Sequence, residues 1–352
     1  MQDSQTLDLL RVDRPIIQGP FGGGLSTVEL VSTVSNLGGL GSFGVHYLEP
    51  DGIVRIATEI REKTDRSFAL NLWVSDHDPE ANDFSPEAYE AAWRIFEPLY
   101  QELGIEKPEQ PQRFHPSFDD QIEAILETRP HVFSFVFGIP SKRILDACKV
   151  KGITTVGAAT TLAEAQALED AGVDVILSTG FEAGGHRPSF LERAEDSLMG
   201  TLPLTRLIAS ECSRPVIAAG GIVDAQGVEA ALSLGAGAAQ LGTAFLACDE
   251  SGTVDQHRSA LFSNQSANSQ LTRAYTGRLA RGMPNRLIKA MTSSGHRLPP
   301  FPVQAWFVAP LRAASIEAGD DDFISLYANQ AAPLLKRTKA ADLMADLTSR
   351  LA

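Results

Sequence analysis

Positive charge is scarce in this chain of 352 residues. It has 30 Lys and Arg residues against 44 Asp and Glu residues, so its formal net charge is −14. The deficit argues against nucleic acid and anionic membranes as partners, because both bind clustered basic residues. Long apolar runs are also absent, and none approaches the ~20 residues of a membrane-spanning helix. The N-terminus has no basic segment followed by a long apolar stretch, so we expect no signal peptide.

Cysteine is rare, and Cys148, Cys212 and Cys248 are widely spaced, with no C-x-x-C pair. This pattern indicates free thiols in a reducing compartment rather than disulfides or a zinc site, and we expect a cytoplasmic protein. The sequence also lacks H-E-x-x-H, G-x-S-x-G and clustered acidic motifs. We therefore expect no metal, and hydrolysis by a metal or an activated serine is disfavoured.

Short apolar segments alternate with helical patterns along about the first 250 residues, the usual size of a (β/α)8 barrel. Eight such segments span residues 15–19, 39–44, 67–74, 131–138, 153–157, 173–177, 214–221 and 236–242. No hairpin turn joins neighbours, and uniformly apolar segments are typical of parallel strands that are buried on both faces. The sequence therefore predicts an α/β fold, a TIM (β/α)8 barrel. A doubly wound sheet is the alternative, with a Gly-rich phosphate turn after its first strand.

The chain departs from this rhythm twice. We interpret residues 75–116 as an insertion after the third strand. Residues 251–304 are polar and irregular, and they include the basic loop 276–282. We expect a barrel over residues 1–250, a smaller lid-like substrate region over 251–304, and C-terminal helices over 305–352 that pack back on the barrel. The oligomeric state stays open.

The loop after the sixth strand is rich in glycine and contains a histidine. Gly184 and Gly185 lead directly to His186 and Arg187. Glycine lets the backbone approach a ligand closely and histidine titrates near neutrality, so His186 is the candidate catalytic residue. The alternative is a surface loop with a solvated His-Arg pair. Asn71, a lone amide near the end of the third strand, is a second candidate, because it needs hydrogen-bond partners there.

The seventh and eighth strands both end in glycine-containing turns. The turns contain Ala219, Gly220 and Gly221, and Leu241, Gly242 and Thr243. Backbone N–H groups in these two loops of a barrel commonly bind phosphate, so we expect a phosphate site here. The alternative is two tight turns that use glycine for packing. A literal G-x-G-x-x-G at residues 39–44 lies within a strand rather than at its end, and we do not assign it to nucleotide binding.

Several segments carry a resemblance to a known family. They read R-P-I-I-Q-G-P-F-G-G-G-L-S-T near the N-terminus, F-A-L-N-L-W in the third strand, S-T-G-F-E-A-G-G-H-R after the sixth, A-A-G-G-I after the seventh and Q-L-G-T-A-F-L at the eighth. They resemble nitronate monooxygenases, formerly called 2-nitropropane dioxygenases. The resemblance continues through T-G-R-L-A-R-G-M-P-N-R to L-Y-A-N-Q and so covers nearly the whole chain. E-A-G-G-H alone is less specific, since FMN-dependent enoyl-ACP reductases carry a similar loop.

The resemblance implies that the barrel binds FMN non-covalently and that the enzyme oxidises alkyl nitronates or nitroalkanes with O2. The products would be carbonyl compounds and nitrite, formed after one-electron transfer to the flavin. His186 would be a base for neutral nitroalkanes or a hydrogen-bond partner of the nitronate, and segment 278–286 would close over the anionic substrate. The residues implied to bind FMN are Pro20, Phe21, Gly22, Asn71, Thr179, Gly184, Ala219, Gly220, Gly221, Leu241, Gly242, Thr243 and Gln330. Four positions depart from the family's pattern, namely Phe21, Thr179, Pro188 and Asn329.

Three alternatives stay open. An FMN-dependent enoyl thioester reductase would need NAD(P)H and a groove for an acyl carrier. A flavin-free lyase or isomerase would use the phosphate-binding loops for a phosphorylated metabolite. A non-catalytic barrel would bind phosphate ligands but would have no use for both His186 and Asn71 at its mouth.

Overall fold

The computed structural model describes residues 4–82, 84–336 and 338–351. Its strands, in chain order, are β1 (Ile16–Gln18), β2 (Gly41–Gly44), β3 (Phe68–Trp73), β4 (Val132–Val136), β5 (Thr154–Ala159), β6 (Val175–Thr179), β7 (Gly185–His186), β8 (Val216–Ala219), β9 (Ala238–Leu241), β10 (Gln270–Thr272) and β11 (Ala280–Gly282). Eight of them form one parallel sheet in the order β1-β9-β8-β6-β5-β4-β3-β2. Parallel pairing of Ile17 with Leu40 brings β1 back beside β2. The ring confirms the predicted TIM (β/α)8 barrel.

The barrel strands are buried on both faces, which agrees with their uniform apolarity. All six residues of β3 are buried. Inside the ring, Ala69 shares an apolar cluster with Leu10 from helix α1 (Ser4–Leu10). The hydroxyl of Thr154, at the start of β5, donates to the Leu9 carbonyl at 2.9 Å, so α1 covers the amino-terminal end of the barrel. The sequence does not predict α1, because seven residues are too few to show a helical period.

The remaining helices in chain order are α2 (Val28–Asn36), α3 (Pro50–Lys63), α4 (Pro86–Glu102), α5 (Phe118–Thr128), α6 (Lys142–Val150), α7 (Leu162–Asp170), α8 (Thr201–Glu211), α9 (Ala225–Ser233), α10 (Thr243–Leu246), α11 (Asp255–Leu261), α12 (Arg286–Ser293), α13 (Val303–Ala318) and α14 (Ala340–Thr348), with 3-10 helices at Pro79–Ala81, Ala194–Asp196, Asn264–Asn268 and Ala332–Leu334. Side-chain caps mark several starts. The Thr27 hydroxyl accepts the Leu30 N–H at 3.0 Å, which satisfies a donor that the helix leaves unpaired. Within the described ranges, no helix combines the length and apolarity needed to cross a bilayer.

A small antiparallel sheet, in the order β10-β11-β7, adjoins the carboxyl end of the barrel. Its strand β7 belongs to the loop that follows β6, and Ala280 of β11 pairs with His186. Beside this sheet, α4, α12 and α13 share an apolar cluster that contains Phe96, Met291 and Phe307. The segment predicted as an insertion after the third strand therefore packs, through α4, with the region that follows β9.

The division into residues 1–250, 251–304 and 305–352 stays a prediction. Helix α13 contacts α4, where the Tyr100 hydroxyl donates to the Phe307 carbonyl at 2.7 Å. Helix α14 packs in the apolar cluster that includes residues of α2 and α9. Of the two C-terminal helices, α13 thus packs with α4 and α12, and α14 packs on the barrel helices α2 and α9.

Candidate active site

A cavity of about 520 Å³ opens at the carboxyl ends of the barrel strands. Loops after β1, β6, β8 and β9 line it, together with residues from β3, β4 and α13. The predicted site residues that line it are Pro20, Phe21, Gly22, Asn71, Thr179, Gly184, His186, Ala219, Gly220, Gly221, Gly242 and Thr243. The cavity has the size of a cofactor site and lies where barrel enzymes bind their substrates.

Two predicted cofactor-binding residues lie outside this lining. Leu241 is buried in the apolar cluster beside α9, because alternation along β9 turns its side chain away from the mouth. Only its carbonyl acts there, accepting the Gly19 N–H at 2.9 Å. Gln330 is exposed, and its backbone N–H donates to the Glu182 carbonyl at 3.0 Å. The neighbouring Asn329 lines the cavity instead.

His186 is held by both its backbone and its ring. Strand β7 pairs with β11, and Nε2 of His186 lies 2.7 Å from the hydroxyl oxygen of Thr276. The ring contacts Trp73 edge-on at a centroid distance of 4.8 Å and Tyr327 at 5.6 Å. Burial, and then the charge of Arg278, lowers the pKa of His186 to about 3. The imidazole is therefore neutral at physiological pH, with one nitrogen that donates and one that accepts.

The turn after β8 requires glycine. Gly220 and Gly221 have φ angles of +116° and +68°. A Cβ on Gly220 would lie 2.5 Å from the hydroxyl oxygen of Thr201, which itself lies 3.0 Å from the Gly220 carbonyl. The start of α8 thus supports this turn from behind. The second turn passes from β9 through Gly242 into α10. Both turns bring backbone to the cavity, as in the phosphate sites of other barrels.

The loop after β1 lies against the imidazole of His46. A Cβ on Gly22 would be 2.2 Å from Cε1 of His46, so only glycine fits there. His46 stacks on Trp73 with ring centroids 4.2 Å apart, and its Nδ1 is buried without a hydrogen-bond partner in the described part of the chain. Burial, and then the nearby His115, lowers the pKa of His46 well below its usual value. Sequence reasoning did not select His46, because no local motif shows that Gly22 packs on it.

No aspartate or glutamate is among the described residues that line the cavity, although the chain as a whole has a net charge of −14. Arg312 of α13 lines it and makes no ion pair or hydrogen bond with any described residue. Burial raises the pKa values of Tyr47 and Tyr327, and the charge of Arg312 opposes that rise in both. Arg312 was missed because it lies on a helix outside every motif.

The arginines of segment 278–286, which we expected to close over an anionic substrate, are already engaged. Arg278 is ion-paired with Asp78 at 2.8 Å. Arg281 donates to two backbone carbonyls, and Arg286 pairs with two carboxylates. These charges mainly connect the lid-like region to other segments of the chain, such as Asp78 after β3 and Glu102 of α4. Among the described residues, Arg312 of α13 is the cavity-lining arginine without a carboxylate partner.

Similarity to known proteins extends over the whole chain. A profile of the family described as nitronate monooxygenase matches residues 3–350. A curated protein of that name from Paraburkholderia phytofirmans is 40% identical over 98% of this chain and 94% of the relative. Another, from Pseudomonas aeruginosa, is 39% identical over 97% of each chain.

Solved structures agree with this result. The structure described as a nitroalkane oxidase from Streptomyces ansochromogenes has a TM-score of 0.89 and 33% identity, covering 99% of this chain and 97% of that chain. The structure of FabK from Thermotoga maritima has a TM-score of 0.75 and 25% identity, covering 98% and 94%. The chain belongs to the nitronate monooxygenase family, a family of flavin-dependent oxidoreductases.

Proposed function

We propose that this chain binds FMN non-covalently and uses it to oxidise alkyl nitronates with O2, giving a carbonyl compound and nitrite. One observation carries the proposal: His186 and the glycine turns at Gly220, Gly221 and Gly242 converge on a single cavity, and no carboxylate is among the described residues that line it. A phosphate and an anionic substrate both favour surroundings without negative charge. The substrate is a small molecule, with O2 as the second reactant.

The residues present fit FMN. The turns at Gly220, Gly221 and Gly242 would hold its phosphate, with Thr243 beside them. Asn329 lines the cavity, and its amide oxygen Oδ1 is buried without a hydrogen-bond partner among the described residues. A buried acceptor of this kind is costly unless a donor reaches it, and a ribityl hydroxyl or a ring N–H is such a donor.

The ring of the cofactor would lie between the loop after β1 and the end of β3. Pro20, Phe21 and Gly22 would contact its face through the close approach that Gly22 allows. Asn71 would contact its polar edge, because Nδ2 of Asn71 already donates to the Ser134 hydroxyl at 3.0 Å and leaves the amide oxygen free to accept. Thr179, Gly184 and Ala219 would complete the pocket.

When bound, FMN supplies an electron acceptor for the electron-rich nitronate carbon. The chain's own residues position the substrate and exclude water. Trp73, Phe137 and Tyr327 surround His186 with aromatic surface. The neutral His186 holds a proton and can hydrogen-bond to a nitro oxygen. Arg312 adds positive potential on the side of α13.

An enoyl thioester reductase shares this fold. The enoyl reductase domain of MlnA from Bacillus amyloliquefaciens has a TM-score of 0.66 at 9% identity, a likeness that concerns the fold alone. The family match does not favour that reaction, nor a flavin-free lyase or isomerase.

The cytoplasmic location stays a prediction that rests on the three free cysteines.

The absorbance spectrum of the purified protein tests the cofactor, and an oxygen electrode tests the reaction. We expect flavin absorbance, FMN in the heat-released supernatant by mass spectrometry, and O2 consumption with propionate 3-nitronate. NADH oxidation with crotonyl thioester is the matched assay for the reductase. A colourless protein that FMN cannot reconstitute, or one active only in the second assay, would overturn the proposal.

A further inference from the structure

Thr276 is the one described side chain that hydrogen-bonds to the ring of His186. Its Oγ1 lies 2.7 Å from Nε2, and Thr276 is 4% exposed. A buried hydroxyl at this distance from a ring nitrogen makes a full hydrogen bond. Thr276 begins the T-G-R-L-A-R-G-M-P-N-R segment but is not among the predicted site residues, and its position 90 residues after His186 hides the contact from sequence analysis.

The segment that carries Thr276 also holds the backbone of His186. Ala280 pairs with His186, and the N–H of Arg187 donates to the Leu279 carbonyl at 2.8 Å. The turn after Thr276 requires glycine, because Gly277 has a φ of +89° and a Cβ there would lie 2.6 Å from the Pro299 carbonyl oxygen. One segment of the lid-like region therefore positions both the backbone and the ring of His186.

The hydrogen bonds around Thr276 indicate which ring nitrogen carries the proton. Its Oγ1 accepts the backbone N–H of Arg278, at 3.4 Å, and among the described residues Nε2 of His186 is the one acceptor that its own proton reaches. Burial keeps the imidazole neutral. If Nε2 accepts, Nδ1 must carry the ring proton. Nδ1 has no hydrogen-bond partner in the described part of the chain, and it is accessible to solvent.

We infer that Thr276 is a positioning residue that fixes the Nδ1–H tautomer of His186 and so presents an N–H donor, rather than a lone pair, to the cavity. The inference rests on the proposed function and deepens it. A donor stabilises the oxygens of a substrate that is already anionic. Removing a proton from a neutral nitroalkane would instead need an unprotonated nitrogen facing the carbon. The geometry thus assigns His186 to nitronate binding.

Two variants of Thr276 test this role. Thr276→Val keeps the shape and removes the hydroxyl, and we expect kcat/KM for propionate 3-nitronate to fall by about tenfold with unchanged flavin absorbance. Thr276→Ser restores the hydroxyl, and we expect it to stay within about threefold of the unmodified enzyme. Thr272→Val is the matched control: its hydroxyl accepts the Ala274 N–H at 3.0 Å and does not contact His186. An unchanged kcat/KM in Thr276→Val would overturn the inference.

A second measurement does not depend on activity. In protein labelled with 15N-histidine, the signal that His186→Asn removes reports the tautomer of His186. We expect the proton on Nδ1, and in Thr276→Val a shift of population towards Nε2–H. A proton on Nε2 in the unmodified protein overturns the inference, even if Thr276→Val does not fold. If the enzyme binds flavin but does not oxidise nitronates, the proposed function fails while this spectrum still decides the role of Thr276.

Discussion

Arg278 and Asp78 form an ion pair, with Nε 2.8 Å from Oδ1, that joins the lid-like region to the segment after β3. The Arg278 side chain is 7% exposed, and its guanidinium lies 4.3 Å from the ring centroid of Phe137 and 4.4 Å from that of Phe301. Asp78 also accepts the Phe301 N–H at 3.0 Å. A buried cation among aromatic rings needs a carboxylate partner, because removing its charge from water without one would be costly.

Replacing Asp78 with Asn should lower the free energy of unfolding by about 3 kcal/mol, because it leaves the Arg278 charge buried and unpaired. Urea unfolding measures the change. Glu80→Gln is the control, since Glu80 pairs with Arg297 at 3.0 Å between side chains that are 56% and 85% exposed. Loss of that pair should cost less than about 1 kcal/mol. Equal losses in the two variants would contradict the buried-pair argument.

His186→Asn should retain FMN and lose turnover. Asn can still donate a hydrogen bond, but it cannot reproduce both the ring contact with Trp73 and the bond to Thr276. We expect kcat/KM with a nitronate to fall by about 100-fold, the size of effect that loss of a hydrogen bond to a charged group produces. Flavin content by absorbance and O2 consumption check this. Unchanged rates on both nitronates and nitroalkanes would remove the assigned role.

Gly221→Val should expel FMN. A β-branched residue at a φ of +68° is strained, and its Cβ would lie 3.4 Å from Cβ of Glu182, so the turn that we propose for the phosphate would be distorted. Gly172→Val is the control for backbone strain alone. Gly172 has a φ of +86°, a Cβ there would meet only open space, and the residue does not line the cavity. We expect both variants to be destabilised but only Gly221→Val to be colourless. Normal flavin occupancy in Gly221→Val would refute the placement of the phosphate.

Arg312→Gln should weaken the binding of anions in the cavity. Arg312 has no carboxylate partner in the described residues, so its charge is available to a ligand. We expect the Kd of nitrite, measured by flavin absorbance, to rise by about tenfold, with a smaller dependence on salt. Lys289→Gln removes the same charge from an exposed position outside the cavity and should leave the Kd unchanged. Equal effects in the two variants would show that only the overall charge matters.

His257 should contribute to destabilisation in acid. It is 1% exposed, and its Nε2 lies 2.9 Å from the Tyr327 carbonyl. Burial lowers its pKa from 6.5 to about 4, with Arg312 and Arg258 acting in the same direction. Below pH 6.5 the unfolded chain therefore binds a proton that His257 does not bind in the folded protein. The free energy of unfolding falls as the pH decreases from 6.5 towards 4.

His257→Gln keeps a donor for the Tyr327 carbonyl and removes this titration. The loss of unfolding free energy between pH 7 and pH 5 should be smaller in the variant by about 2 kcal/mol. Chemical unfolding at the two pH values measures it. Parallel losses in variant and unmodified protein would mean that His257 titrates normally in the folded state.

Local sequence was enough to predict much of the fold and many of the residues that line the cavity. The eight barrel strands follow from apolar runs. The turns at Gly220 and Gly221 follow from glycine's access to positive φ. The small sheet was not predictable, because β7 has two residues and pairs with a strand about 95 positions later.

By itself, the sequence determined the barrel, the family resemblance, and the loops that meet at its mouth, since periodicity and turn chemistry are properties of neighbouring residues. Only the tertiary structure decided that Thr276 bonds to His186, that Asp78 neutralises Arg278 from 200 positions away, and that Arg312 faces the cavity without a partner among the described residues. Each of these contacts joins segments that are far apart in the chain, and their charges and protons depend on burial that no local pattern records.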